Sequence, residues 1–144
     1  MSAYLDTSVL VSMFTVDAHT SLASSWLVST KGDLVTSDWG LAEFTSALSL
    51  GVRVGRLTAS ERSAAESAIE AWLNVDMPAL AVQPGDIRQA RGLIKATTAP
   101  LRTGDALHLA VAARLGCSIA TFDIHMAEAA VDFGIVVEDL SPHA

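Results

Sequence analysis

The sequence predicts an α/β fold in which an open parallel sheet is covered by helices on both faces. The first observation is a glycine followed by a short apolar run, which occurs three times, at Gly32, Gly116 and Gly134. Glycine readily adopts the left-handed conformation that ends a helix, and the run after it is typical of a buried strand. The second observation is that helical patterns lie between these runs. Helices that alternate with short strands favour a parallel sheet.

Five short strands are predicted. Three of them are the apolar runs that follow the glycines, and two more lie at the start of the chain and after a proline. They cover residues 3–5, 34–36, 79–82, 117–121 and 135–137.

Six helices are predicted from apolar residues at spacings of three and four, which place one face of each helix against a core. One helix has a clear start, because Thr58 and Glu61 have the spacing of a capping box. The residues that mark the six apolar faces are Leu22 and Trp26; Leu41, Phe44 and Leu48; Ala65, Ala68, Ile69 and Trp72; Ile87, Ala90 and Ile94; Ala106, Leu107, Leu109, Ala110 and Ala113; and Met126, Ala129 and Ala130.

The composition predicts one domain over residues 1–144, in the cytosol. A chain of 144 residues with 51% apolar residues can bury a core and is not disordered. Its apolar stretches fall short of the roughly 20 residues that span a membrane. Its first residues lack the basic leader of a signal peptide. A single cysteine, Cys117, excludes an internal disulfide and a thiolate metal cluster, which suits a reducing compartment.

The net charge of −7 means that a nucleic acid would not be bound through the overall field of the protein. Seven of the nine basic residues are arginines, which suit bidentate contact with phosphate and allow a local phosphate-binding patch. An acidic surface would also attract a basic partner protein.

Four carboxylates are predicted to lie near one edge of the sheet. In open α/β sheets, ligands bind beyond the carboxyl ends of the strands. Asp6 directly follows the first predicted strand, and Asp123 follows the fourth. Asp105 opens a helix, and Glu43 lies about one turn into the helix after the second strand.

Taken singly, each carboxylate has a structural alternative. Asp6 and Asp123 could cap helices, Asp105 could favour the positive end of a helix, and Glu43 could be exposed. Together on one rim, however, four like charges repel one another unless a cation lies between them. Mg²⁺ and Mn²⁺ take carboxylate oxygens as ligands. Two such ions about 4 Å apart can activate a water and stabilise the leaving oxygen of a phosphodiester.

Four segments resemble the motifs of PIN-domain nucleases, and among these the chain is similar to VapC-type toxins of toxin–antitoxin pairs. The likeness covers essentially the whole chain, and its most specific part is the Asp-Ala-Leu-His-Leu-Ala run that begins at Asp105. The segments are Tyr4-Leu5-Asp6-Thr7-Ser8, Leu41-Ala42-Glu43-Phe44, Arg102-Thr103-Gly104-Asp105-Ala106-Leu107-His108-Leu109-Ala110 and Thr121-Phe122-Asp123.

The resemblance implies an endoribonuclease that depends on Mg²⁺ or Mn²⁺, forms a homodimer and is inhibited by a VapB-type antitoxin. It implies that Thr7 and Thr121 orient water at the metal. Gly104 departs from the family, which often has a larger apolar residue at this position. Asp38 is interpreted as a helix N-cap and not as a further metal ligand. The catalytic and metal-binding residues that the resemblance implies are Asp6, Glu43, Asp105 and Asp123.

Contacts to RNA and a general base are weaker predictions. His108 lies one helical turn after Asp105, but a lone histidine on an apolar helix is more often a core residue. Trp72 belongs to the core or to a dimer interface. Several basic residues could contact the RNA backbone, although an exposed helix face is the alternative: Arg88, Arg91 and Lys95, which share one face, together with Arg102, Arg53 and Arg56.

Other functions remain as alternatives. A phosphatase with an aspartyl nucleophile would need a second aspartate where Ser8 stands, and a phosphoacceptor receiver would need a lysine after a late strand. Another metal-dependent phosphohydrolase, or an inactive PIN-like domain that only binds a partner protein, would retain the same fold.

Overall fold

The predicted parallel sheet is present in the computed structural model, which describes residues 1–142. Its four strands lie in the order β3-β2-β1-β4, and all neighbouring pairs are parallel. The strands are β1 (Ala3–Leu5), β2 (Leu34–Ser37), β3 (Ala79–Leu80) and β4 (Ser118–Ala120).

Seven helices surround the sheet within the described part of the chain. The six predicted helices are present, and a further one directly follows β1. They are α1 (Thr7–Phe14), α2 (Thr20–Ser29), α3 (Asp38–Arg53), α4 (Ala59–Val75), α5 (Pro84–Ala96), α6 (Thr103–Leu115) and α7 (Ile124–Asp132).

The alternation of side chains along β1 separates two apolar cores. Ala3 and Leu5 pack on one side of the sheet with residues of α1, α3 and α4. Tyr4 points to the other side, where it packs with α5, α6 and α7. All three side chains are buried, so both faces of the sheet are covered and the predicted α/β class is confirmed.

The prediction of a full fifth strand at residues 135–137 is wrong. The run is reduced to one parallel bridge between Ile119 and Val137, where Ile119 N–H donates to Val136 O at 2.8 Å. Only Ile135 of this run is buried, and Val136 is largely exposed. The run therefore lacks the burial that its apolar composition predicted.

The glycine pattern is correct at two of its three positions. Gly116 and Gly134 have φ angles of 67° and 73°, in the left-handed region that a side chain disfavours. Gly32 does not adopt this conformation, and α2 ends earlier, with Thr30 as its C-cap. A Cβ at Gly32 would lie 2.3 Å from Met1 O, so this glycine instead allows two backbone segments to pass closely.

The predicted apolar faces of three helices are partly wrong. Ala113 of α6 is exposed, whereas the other four residues predicted on its apolar face are buried. Ala68 of α4 is exposed, whereas Ala65 and Ile69 are buried as predicted. On α5, Ile87 and Ile94 are exposed, and the buried residues are Asp86, Ala90 and Leu93.

An ion pair between the buried Asp86 and the partly exposed Arg114 accounts for the orientation of α5. Asp86 is only 2% exposed and accepts hydrogen bonds from Arg114 Nε at 2.7 Å and Nη2 at 3.0 Å. This contact joins α5 to α6 and holds the pKa of Asp86 below its ordinary value. Asp86 shares the buried face of α5 with Ala90 and Leu93, and Ile87 lies beside this face and is exposed. Among the described residues, no helix is long and apolar enough to cross a membrane.

Candidate active site

The carboxyl ends of β1 and β4 open into a cleft of about 370 Å³. The sheet order reverses between these two strands, because β2 and β3 lie on one side of β1 and β4 lies on the other. Such a switch point is where open α/β sheets bind ligands. The cleft is lined by all four predicted carboxylates, Asp6, Glu43, Asp105 and Asp123.

Asp6 is both a helix cap and a residue of the cleft. Its Oδ1 accepts from Val9 N at 3.1 Å, as an N-cap of α1 does, and from Ser8 Oγ at 2.7 Å. Its Oδ2 accepts from Thr121 Oγ1 at 2.5 Å. Burial nevertheless raises the pKa of Asp6, although these hydrogen bonds oppose the shift. A buried carboxylate with this environment gains from a nearby cation.

Asp123 caps α7 through one oxygen only. Its Oδ1 accepts from His125 N at 2.9 Å and from Met126 N at 3.1 Å. Asp123 is therefore the helix N-cap that the sequence offered as an alternative, and it also lines the cleft. Capping and ligand binding are compatible, because a carboxylate has a second oxygen.

Asp105 lies in the first turn of α6, where the positive end of the helix favours a carboxylate. Its side chain is 12% exposed, and its Oδ2 lies 3.4 Å from Arg102 Nε. The Arg102 side chain is itself 83% exposed. A surface contact of this kind contributes little to stability, so it leaves Asp105 available for another cation.

Glu43 projects from α3 toward α6 and is held from two sides. His108 Nε2 lies 2.5 Å from Glu43 Oε1, and Thr7 Oγ1 donates to the same oxygen at 2.8 Å. Burial acts to raise the pKa of Glu43, but its contacts with His108 and Thr7 and the charge of Arg102 bring that pKa below its ordinary value. Glu43 is therefore ionised near neutral pH.

The donor chemistry of the cleft fits a hard divalent cation, because four carboxylates lie along one rim. In residues 1–142, however, no three aspartate, glutamate, histidine or cysteine side chains are already gathered as a metal-ligand set. Each carboxylate instead contacts a hydroxyl, an amide, an imidazole or a guanidinium. Side-chain rotations would be needed to bring them onto one ion.

Of the other residues that the sequence singled out, some lie at the cleft and some lie away from it. Thr7 and Thr121 lie at the site and donate to Glu43 and Asp6, so they act on carboxylates. Asp38 is not the N-cap of α3, because Ser37 is the cap and Asp38 is the first helical residue. Among the predicted RNA contacts, Arg102 lines the cleft. Those outside the cleft lining are Arg88, Arg91, Lys95, Arg53 and Arg56.

Arg91 and Lys95 instead border a separate apolar groove with Trp39, Ile87 and Leu107. Trp39 is half-buried, and its Nε1 is buried without a hydrogen-bond partner within the part of the chain that the structure describes. Trp72 packs edge-on against Phe14 at the margin of the core and does not reach the cleft.

Four side chains that shape the site were not predicted from the sequence. Tyr4 and Ser37 lie beneath it and contact each other, and Tyr4 also contacts His108. Asp17 and His19 line its mouth, and the His19 ring stacks on Phe122 with centroids 4.5 Å apart. A tyrosine within an otherwise apolar strand was the one available signal, since a buried hydroxyl usually has a partner.

Comparison with known families shows a match to the PIN domain over residues 3–132. Comparison with curated protein sequences returns no match.

Several solved structures share the fold. Mycobacterium tuberculosis VapC20, described as a toxin that cleaves the sarcin–ricin loop, is 24% identical, with a TM-score of 0.71 over 88% of this chain and 94% of that one. The Neisseria gonorrhoeae FitAcB structure is 18% identical, with a TM-score of 0.67 over 96% and 97%. Rickettsia felis VapBC2, bound to a DNA fragment from the promoter of its genes, is 14% identical, with a TM-score of 0.69 over 96% and 98%.

Proposed function

Since this chain belongs to the PIN domain family, we propose that it is an endoribonuclease that depends on Mg²⁺ or Mn²⁺. We further propose that it is the toxin of a type II toxin–antitoxin pair. The observation that carries the nuclease proposal is the cleft at the switch point of the sheet, lined by Asp6, Glu43, Asp105 and Asp123. A cleft that concentrates four carboxylates needs a cation before it can approach a phosphodiester.

In this proposal the four carboxylates hold the metal, directly or through water. A divalent cation bound there would activate the attacking water and stabilise the charge on the leaving oxygen. Thr7 and Thr121 orient Glu43 and Asp6 through their hydroxyl groups. Arg102, exposed at the rim, is suited to contact a phosphate of the substrate backbone.

RNA is the proposed substrate on two grounds. The cleft is open, so a single strand that presents its backbone can reach the carboxylates. One structural relative, VapC20, is described as a toxin that cleaves the sarcin–ricin loop.

We expect the purified protein to cleave RNA when Mg²⁺ or Mn²⁺ is present and to stop when EDTA is added. The physical reason is that the uncompensated carboxylates would repel the phosphate backbone. Cleavage of total RNA, followed by sequencing of the new ends, measures both the activity and the preferred site. Absence of cleavage with either ion would instead favour an inactive domain that binds a partner protein. Cleavage of small phosphate esters alone would favour another phosphohydrolase.

A basic antitoxin is the proposed partner. The net charge of −7 favours a cationic segment, and solved relatives of the same fold are toxin–antitoxin complexes. We expect co-expression with the product of a short neighbouring gene to suppress both RNA cleavage and growth arrest. Co-purification at moderate salt measures the pairing. If the two proteins separate there, the toxin–antitoxin assignment fails while the nuclease assignment stands. The homodimer stays a prediction of the family resemblance.

A further inference from the structure

His108 is buried in the wall of the active-site cleft, with only 1% of its surface exposed. Its two ring nitrogens face different groups. Nδ1 lies 2.7 Å from Tyr4 Oη, and Nε2 lies 2.5 Å from Glu43 Oε1. The imidazole therefore connects the interior of the protein to a carboxylate of the cleft.

The hydrogen bonds extend further into the protein. Tyr4, which is fully buried, lies 2.6 Å from Ser37 Oγ. Ser37 in turn accepts from the backbone N–H of Gly40 at 3.1 Å, at the start of α3. The groups thus form a continuous chain of four hydrogen bonds from Gly40 to Glu43.

The groups at the two ends of this series of hydrogen bonds determine which partner donates in each bond. The Gly40 N–H can only donate, and the ionised Glu43 carboxylate can only accept. If every group between them donates once and accepts once, Ser37 donates to Tyr4 and Tyr4 donates to His108 Nδ1. His108 then donates to Glu43 through Nε2–H.

Glu43 benefits from such support because its side chain is long, rotatable and 32% exposed. Without partners it would occupy several rotamers, and binding a cation would require that freedom to be lost. The series of hydrogen bonds from Gly40 holds Oε1 of Glu43. Beside Oε2, Gly104 leaves space, because a Cβ at that position would lie 2.9 Å from Oε2. The absence of a side chain at Gly104 therefore leaves room for this oxygen.

We propose that His108, oriented by Tyr4 and Ser37, is a positioning residue that holds Oε1 of Glu43 and leaves Oε2 to bind the divalent cation. This inference rests on the proposed metal-dependent function and assigns His108 a role other than general base. Partners that orient a ligand typically change metal affinity or activity by about 10–100-fold when removed.

The test compares Tyr4→Phe, which removes one hydroxyl, with Thr36→Val as the matched control. Thr36 is equally buried, and its hydroxyl donates to Leu5 O at 3.1 Å, away from Glu43. Mn²⁺ affinity is measured by calorimetry on the folded protein, beside melting curves without metal. We expect Tyr4→Phe to weaken Mn²⁺ binding by about tenfold and Thr36→Val to leave it unchanged. Equal Mn²⁺ affinity in wild type and Tyr4→Phe would overturn the inference.

His108 is tested by two substitutions. His108→Gln retains a donor near the position of Nε2, whereas His108→Leu retains none. We expect His108→Gln to keep more of the Mn²⁺ affinity, and both variants to lower kcat for RNA with little change in KM. A loss that is equal in the two variants would contradict the role.

Two further results separate the inference from the proposed function. In a Glu43→Gln background, Tyr4→Phe should have no additional effect on Mn²⁺ affinity. If Tyr4→Phe still weakens Mn²⁺ binding in the Glu43→Gln background, Tyr4 does not act through Glu43. This comparison tests the inference even if His108→Leu fails to fold. If the wild-type protein does not bind Mn²⁺ at all, the metal-dependent function fails and the inference fails with it.

Discussion

Replacement of Asp6 by asparagine is expected to lower RNA cleavage by on the order of 1,000-fold while the fold is retained. A catalytic metal supplies several kcal/mol of transition-state stabilisation, and each 1.36 kcal/mol corresponds to about a factor of ten in rate. Asp6 lies directly after β1, where it is held by Ser8, Val9 and Thr121. It is the most buried of the four carboxylates, so we expect its replacement to have the largest effect on a bound metal.

The same substitution should not destabilise the metal-free protein. An asparagine caps a helix about as well as an aspartate, so the cap of α1 is preserved. Burial raises the pKa of Asp6 in the folded state, which means that the folded state binds the proton more tightly than the unfolded state does. The Asp6 contribution to stability is therefore favourable at low pH and is lost as the pH rises through the raised pKa. Near neutral pH, Asp6→Asn should melt at the wild-type temperature or above it.

Asp38→Asn is the matched control for this experiment. It makes the same change of charge at an exposed residue in the first turn of α3, outside the cleft lining. We expect it to retain wild-type RNA cleavage. Near-normal cleavage by Asp6→Asn in the presence of Mg²⁺ would contradict the role proposed for Asp6.

The second large effect is the loss of metal stabilisation in Asp105→Asn and Asp123→Asn. A ligand that binds only the folded state stabilises it by about 2.7 kcal/mol at a hundred times its dissociation constant. Wild type should therefore melt at a higher temperature with Mn²⁺. Each variant replaces one proposed ligand carboxylate with an amide, so we expect its dissociation constant for Mn²⁺ to rise and its gain at the same Mn²⁺ concentration to shrink.

Without metal, both variants should stay close to wild type. In Asp123→Asn, the amide oxygen would still accept the hydrogen bonds of the α7 cap, which use one oxygen only. Asp105→Asn loses the attraction of a carboxylate to the first turn of α6, which is worth about 0.3–1 kcal/mol. Melting curves with and without Mn²⁺ separate the two effects, with Asp38→Asn again as the control. If both variants gain as much from Mn²⁺ as wild type does, Asp105 and Asp123 are not metal ligands.

The α/β class and most of the elements could be predicted from local patterns. The spacing of apolar residues, the capping box at Thr58 and the glycines at 116 and 134 act over a few residues, so they are readable in one dimension. The position of Asp6 after β1 and of Asp123 after β4 also follows from strand order. With the family resemblance, these signals were enough to select the four carboxylates that line the cleft.

Features that depend on contacts between distant segments could not be predicted in this way. The exposed face of α5 follows from the ion pair of Asp86 with Arg114, 28 residues away. The run at residues 135–137 pairs with β4 through one bridge only, between Ile119 and Val137, and local sequence does not specify how far such pairing extends.

The contacts of Glu43 and His108, 65 residues apart in the chain, and of Tyr4 and His108, 104 apart, depend on the same kind of packing. The amino-acid pattern specifies which side chains are polar and which face of an element is apolar. Which polar groups meet is settled when the helices pack on the sheet, because buried donors and acceptors must then find partners across the fold.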